Sequence, residues 1–164
     1  FMGNNKRIGL FIGSFDPFHI GHREVVLTAL NTCLFDKIVI CVGTNPSKKY
    51  MFSEYERVNF IKESFSSDDY ENRIDVISRQ NMMACDIARE INANVLIKGI
   101  RNQSDAANEI EQANVNTYLG HVPTLLIPTS NLVSHVSSTL VRTLIDNRKD
   151  GINDYNVREL LGRE

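Results

Sequence analysis

Residues 13–22, GSFDPFHIGH, decide how this chain is read. They follow the short apolar run at residues 7–12 (RIGLFI) and pass directly into a helical pattern at residues 21–32 (GHREVVLTALNT), where Val25, Val26 and Ala29 share a face. A strand that runs through such a loop into a helix places the loop at a strand's carboxyl end, where open parallel α/β sheets bind ligands. Gly13 permits a tight turn after the strand, and the hydroxyl of Ser14 can donate to a phosphate oxygen. Pro17 fixes φ and stiffens the loop, while Gly21 lets backbone and ligand approach closely. His19 and His22 fall at or just before the helix start, where N–H groups and the macrodipole favour an anion. Two imidazoles there can donate to a phosphate whose charge grows in a transition state. The alternatives are a structural pair or half of a metal site. Metal sites take three or four protein ligands, and His121 and His135 lie far off in sequence without matching spacing.

Outward from this loop, short apolar runs alternate with helical patterns. Residues 37–43 (KIVICVG), 74–77 (IDVI), 95–97 (VLI) and 124–127 (TLLI) join residues 7–12 as five strands. Their brevity and apolarity suit strands covered on both faces. Ser53 followed by Glu56 is a capping-box pattern opening a helix over 54–64. Further helices are expected at 83–91, 105–118, 138–147 and 154–161. The alternation predicts an α/β protein with a doubly wound five-stranded parallel sheet.

Composition is consistent with one domain spanning residues 1–164, with Phe1, which precedes Met2, set aside as extraneous. Eighteen basic residues against 20 acidic ones do not advertise a surface for duplex nucleic acid, which needs clustered positive charge. No run approaches the roughly 20 apolar residues of a membrane span, and no secretory leader opens the chain. Cys33, Cys41 and Cys85 form neither a disulfide framework nor a metal pattern. Each lies in an apolar stretch and is expected to be a small buried hydrophobe of a cytoplasmic protein.

Residues 19–22 spell HIGH, and the segment resembles the motif of that name in the nucleotidyltransferase superfamily. Residues 136–142 (VSSTLVR) resemble that superfamily's second, triphosphate-gripping motif; alone they would read as a plain helix cap. Two middle segments narrow the resemblance. Residues 45–52 (NPSKKYMF) with Glu56-Arg57-Val58, and residues 95–101 (VLIKGIR), resemble stretches of the phosphopantetheine adenylyltransferase family, as does Glu109 with the helix through Asn116.

The resemblance implies a Rossmann-like fold and transfer of AMP from ATP to 4′-phosphopantetheine, giving dephospho-coenzyme A and pyrophosphate without a covalent enzyme intermediate. It implies that His22 and Lys48 are catalytic. It assigns ATP to Ser14, Phe15, His19, His22, Gly99, Ile100, Arg101, Glu109, Val133, Ser134, His135, Val136, Ser137, Ser138 and Thr139. The acceptor falls to Ser14, Lys48, Ala84 and Lys98. It further implies Mg²⁺ held mainly through ATP phosphates, with no dedicated protein ligands, coenzyme A as a feedback inhibitor, and a homohexamer. Three positions depart from the family: Ser14 for Thr, Lys98 for Arg (which loses the planar fork but keeps the charge), and Ala107-Asn108 for an acidic and aromatic pair. The rivals are nicotinate mononucleotide adenylyltransferase, a glycerol-phosphate-type cytidylyltransferase, and a non-catalytic nucleotide-binding module of the same fold.

Overall fold

A computed structural model describes residues 5–163. Five strands, β1 (Ile8–Gly13), β2 (Lys37–Thr44), β3 (Ile74–Gln80), β4 (Val95–Ile100) and β5 (Thr124–Pro128), form one sheet in the order β3-β2-β1-β4-β5. Every pairing is parallel, with Leu10 opposite both Val39 and Leu96 at the centre. The chain winds from β1 to β3 in one direction, then returns past β1 and winds the other way. The switch point therefore lies between β1 and β4, and the site is expected at their carboxyl ends.

Side-chain alternation along the strands divides the interior. Phe11, Ile38, Ile40, Val42 and Ile97 pack with Val25, Val26 and Ala29 of α1 (Ile20–Asn31) and Ile61 of α2 (Glu54–Ser64). Leu10, Val39, Cys41 and Leu96 pack with Ile87 and Ala88 of α3 (Ala84–Glu90). Each Val, Leu, Ile or Phe side chain fully buried there contributes about 1.5–3 kcal/mol. A third, smaller core joins Val136 and Val141 to Val157 and Leu161, with Ile20 packed against it. It ties α5 (Ser138–Asn147) and α6 (Tyr155–Leu160) to the start of α1. The longest helix, α4 (Gln103–Gly120), runs between β4 and β5.

The doubly wound parallel sheet is as the sequence predicts, but several bounds move. β3 continues three residues past Ile77 through Ser78, Arg79 and Gln80, because an edge strand can carry polar side chains that an apolar criterion stops at. α1 starts at Ile20, which makes His19 its N-cap, and α4 starts at Gln103 with Asn102 as cap. Two short 3₁₀ turns, Asp68–Tyr70 and Gly151–Asn153, have no clear sequence signal. Cys41 and Cys85 are buried, but Cys33 is exposed. It sits past the C-cap of α1 at φ 61°, in the left-handed turn that ends the helix, so its apolar neighbours do not enclose it. Among the described residues no helix is long and apolar enough to cross a membrane.

Candidate active site

A cavity of about 370 Å³ opens at the switch point. Its wall takes Ser14 and Phe15 from the loop after β1, and His19, Gly21 and His22 from the start of α1. Lys98, Gly99 and Arg101 come from the end of β4, Asp105 and Glu109 from α4, and Val133, Val136, Ser137, Ser138 and Thr139 from the approach to α5. Two further clefts adjoin it. One holds Lys48 and Tyr50 together with Ser14 and Lys98; the other holds Met83, Ala84, Gln112 and Asn116. Glu109 lines all three, so it stands where they meet. Of the residues assigned from sequence, Ile100, Ser134 and His135 fall outside these linings. Asp105 and Thr129, which sequence reading did not single out, line the main cavity. The i, i+4 spacing of Arg101 and Asp105 was the available signal for the former.

The histidines cap their own helix. His19 Nδ1 accepts from Gly21 N at 3.0 Å, and His22 Nδ1 accepts from His19 N at 3.1 Å. Nδ1 of a neutral imidazole that accepts carries no proton, so each ring holds its hydrogen on Nε2. The rings stack on each other at 3.7 Å between centroids, and His22 also stacks on Phe18 and meets Phe15 edge-on. Burial, aided by the charge of Arg101, lowers the His19 pKa to about 4; burial, His19 and Arg101 push His22 well below its usual range. Both rings are therefore neutral at pH 7, each with one N–H donor left to offer.

This geometry gives two glycines a packing role. A Cβ on Gly21 would stand 2.8 Å from His19 Cε1, so the glycine makes room for the imidazole as well as lining the cavity. A Cβ on Gly13 would stand 2.9 Å from the Phe15 ring. The left-handed backbone in this loop belongs to Phe15 itself, at φ 48°. Its ring packs between Phe11 and Phe18.

The two phosphate-type motifs are bonded to each other. Ser138 Oγ donates to Pro17 O at 3.0 Å, and Arg142 Nη1 donates to Asp16 O at 2.7 Å. Ser137 is the N-cap of α5 and accepts from Leu140 N. Thr139 Oγ1 accepts from Arg142 Nη2. The hydroxyls are thus partly engaged within the protein. The N–H groups of Ser138 and Thr139 precede the first intrahelical bond, from Val141 N to Ser137 O. An anion at the cavity wall is favoured by that helix end.

The cations divide by setting. Lys98 is half-buried, 3.9 Å from Glu109 Oε2 and 3.5 Å from Ile12 O, facing both the main cavity and the Lys48 cleft. Arg101 donates from N and Nε to Asp105, whose pKa that hydrogen bonding lowers. Lys48 is exposed on the loop after β2, and Ala84 opens α3 at the far cleft. Among the described residues no group of three or more His, Cys, Asp or Glu could hold a metal ion.

Comparison with known proteins gives a consistent result. The cytidylyltransferase-like family model matches residues 10–144. A phosphopantetheine adenylyltransferase of Flavobacterium psychrophilum is 36% identical over 144 residues, covering 88% of this chain and 91% of its own length. One from Porphyromonas gingivalis is 36% identical over 150 residues, covering 92% and 94%, and one from Kocuria rhizophila 39% over 129, covering 79% and 80%. A solved nicotinic acid mononucleotide adenylyltransferase of Plasmodium falciparum superposes with a TM-score of 0.68 over 94% of this chain and 90% of its own. At 18% identity, that likeness speaks for the fold alone.

Proposed function

This chain belongs to the phosphopantetheine adenylyltransferase family, and we propose that it transfers AMP from ATP to 4′-phosphopantetheine, releasing pyrophosphate. The observation that carries this reading is the pair of neutral imidazoles, each with one free N–H, between a helix end suited to phosphate and a cleft lined by Lys48 and Lys98. ATP would lie with its phosphates along His19, His22 and the start of α5. The acceptor phosphate would enter past Lys48 and Lys98, and its pantetheine arm would extend toward Ala84.

The acceptor phosphate oxygen attacks the α-phosphorus as the bond to pyrophosphate breaks, in line and in one step. Catalysis is then orientation plus charge stabilisation. A neutral Nε2–H binds the resting triphosphate weakly and gains strength as charge builds on the α-phosphate, which suits His22 to a transition-state role. Mg²⁺ would come with the ATP phosphates and neutralise part of their charge. α4 exposes Ile110, Val115, Tyr118 and Leu119, a surface that the expected homohexamer could cover.

An acceptor panel tests the reading. Pyrophosphate release should be far faster with 4′-phosphopantetheine than with nicotinate mononucleotide or glycerol phosphate; the reverse order overturns it. Labelled ATP without acceptor should leave no label on the denatured protein, and stoichiometric labelling would exclude direct transfer.

A further inference from the structure

Arg57 is the bulkiest of the fully enclosed side chains, only 1% exposed, on the first turns of α2. Arginine almost never sits there without an acidic partner. Among the described residues no carboxylate forms an ion pair with it. Its donors go instead to backbone and hydroxyl oxygens. Nε donates to Phe52 O at 3.2 Å, Nη1 to Ser14 O at 2.9 Å and Gly43 O at 3.5 Å, and Nη2 to Thr44 Oγ1 at 2.8 Å. One guanidinium thus joins the ends of β1 and β2 to the start of α2.

The face of that guanidinium carries Tyr50, with the Arg57 carbon 4.1 Å from the ring centroid. The Tyr50 hydroxyl accepts from Asn45 N at 2.9 Å, and Lys48 N donates to Asn45 O at 3.0 Å. The far end of the same loop is fastened by Asp16, which accepts from Met51 N and Phe52 N. The loop bearing Lys48 is therefore held closed by Tyr50 and anchored, through Arg57 and Asp16, to the segment bearing Ser14. Lys48 and Ser14 line one cleft.

Burying an unpaired guanidinium is costly, and an apolar side chain would fill the space without that cost. What an apolar side chain cannot do is bond four oxygens on three segments. Lysine, a point charge on a flexible stem, cannot do it either. We infer that Arg57, with Tyr50 on its face, is a positioning residue that holds the Lys48 loop in register with Ser14 and so sets where Lys48 meets the acceptor. This rests on the acceptor-binding role of Lys48 proposed above.

The test is a double-mutant cycle on kcat/KM for the acceptor, with thermal melting of every variant. Arg57→Lys should lower kcat/KM on the order of 10²-fold, the scale of misplacing a reacting partner by about 1 Å. In a Lys48→Ala background that further loss should nearly vanish, because the residue to be positioned is gone. Multiplicative losses in folded protein would overturn the inference while leaving Lys48 in the site. An inert Lys48→Ala would instead sink the acceptor reading, and the positioning role with it. Should Arg57→Lys fail to fold, Tyr50→Phe serves, since it keeps the ring on Arg57 and deletes only the bond to Asn45. It should cost roughly fivefold, the worth of one hydrogen bond, again only with Lys48 present. Trypsin should also cut after Lys48 and Lys49 several-fold faster in Tyr50→Phe; unchanged cutting means the loop is not held this way.

Discussion

Helices α1 and α2 open with the same local device built from different chemistry. At α2, Ser53 Oγ accepts from Glu56 N and Glu56 accepts from Ser53 N, an exposed and ordinary capping box. At α1, two histidines three apart make the equivalent reciprocal bonds at the cavity, His19 buried and His22 half-buried with its ring against phenylalanines. Imidazole is not among the preferred N-caps. The exchange lowers capping quality, but each ring keeps one N–H after its helix is satisfied, whereas Ser53 and Glu56 have only solvent beyond theirs. The same bonds that end the helix fix the tautomer a phosphate requires.

The comparison breaks most sharply at His22. His22→Ala should lower kcat by ~10²–10³, about 2.7–4 kcal/mol, with a much smaller change in the KM for ATP. It also removes an acceptor for His19 N and a stacking partner, so a loss of ~1 kcal/mol in stability should accompany it. The fall in kcat should persist at temperatures where melting shows the variant folded. A fall of less than about tenfold there would make the two capping boxes equivalent.

Acid separates them next. The folded pKa of His19, about 4, lies below its usual value of 6.5, so the unfolded chain takes up the proton first. Stability is full above pH 6.5 and is lost as pH falls toward 4; His19 alone should cost about 2 kcal/mol between pH 7 and 5. His22 shifts in the same direction and adds to the loss. Chemical denaturation at the two pH values measures it, and His19→Asn should flatten the dependence. A wild-type protein equally stable at both would mean the imidazoles are already solvated.

The smallest effect belongs to the ordinary cap. Ser53→Ala should cost ~1 kcal/mol of stability and leave kcat at the wild-type value when assayed well below the melting transition. A large loss of activity would show that α2's cap also serves the site.

Much of this was legible in sequence. Five apolar runs gave the parallel sheet, and the glycines, proline and histidines of residues 13–22 marked the loop at its switch point. The capping role of the histidines was not legible, because it rests on ring orientation and tautomer. Nor was the burial of Arg57: one arginine on a polar helix reads as solvated, and only the arrangement of carbonyls from distant segments encloses it. Gly21 illustrates the limit from the other side. The need for a glycine was legible, but its packing against the His19 ring, which depends on that ring's orientation, was not.

The small core beneath the two phosphate motifs has a consequence for local unfolding. Ile20 and Val136 share it with Val157 and Leu161, which lie beyond residue 144 where the family match ends. Segments that share a buried cluster open together as one cooperative unit. Slow amide exchange in the first turns of α1 and α5 should therefore rise and fall in step with that of α6. A chain cut after residue 144 would retain every residue assigned to the site, yet leave two walls of the cavity free to open at low energy.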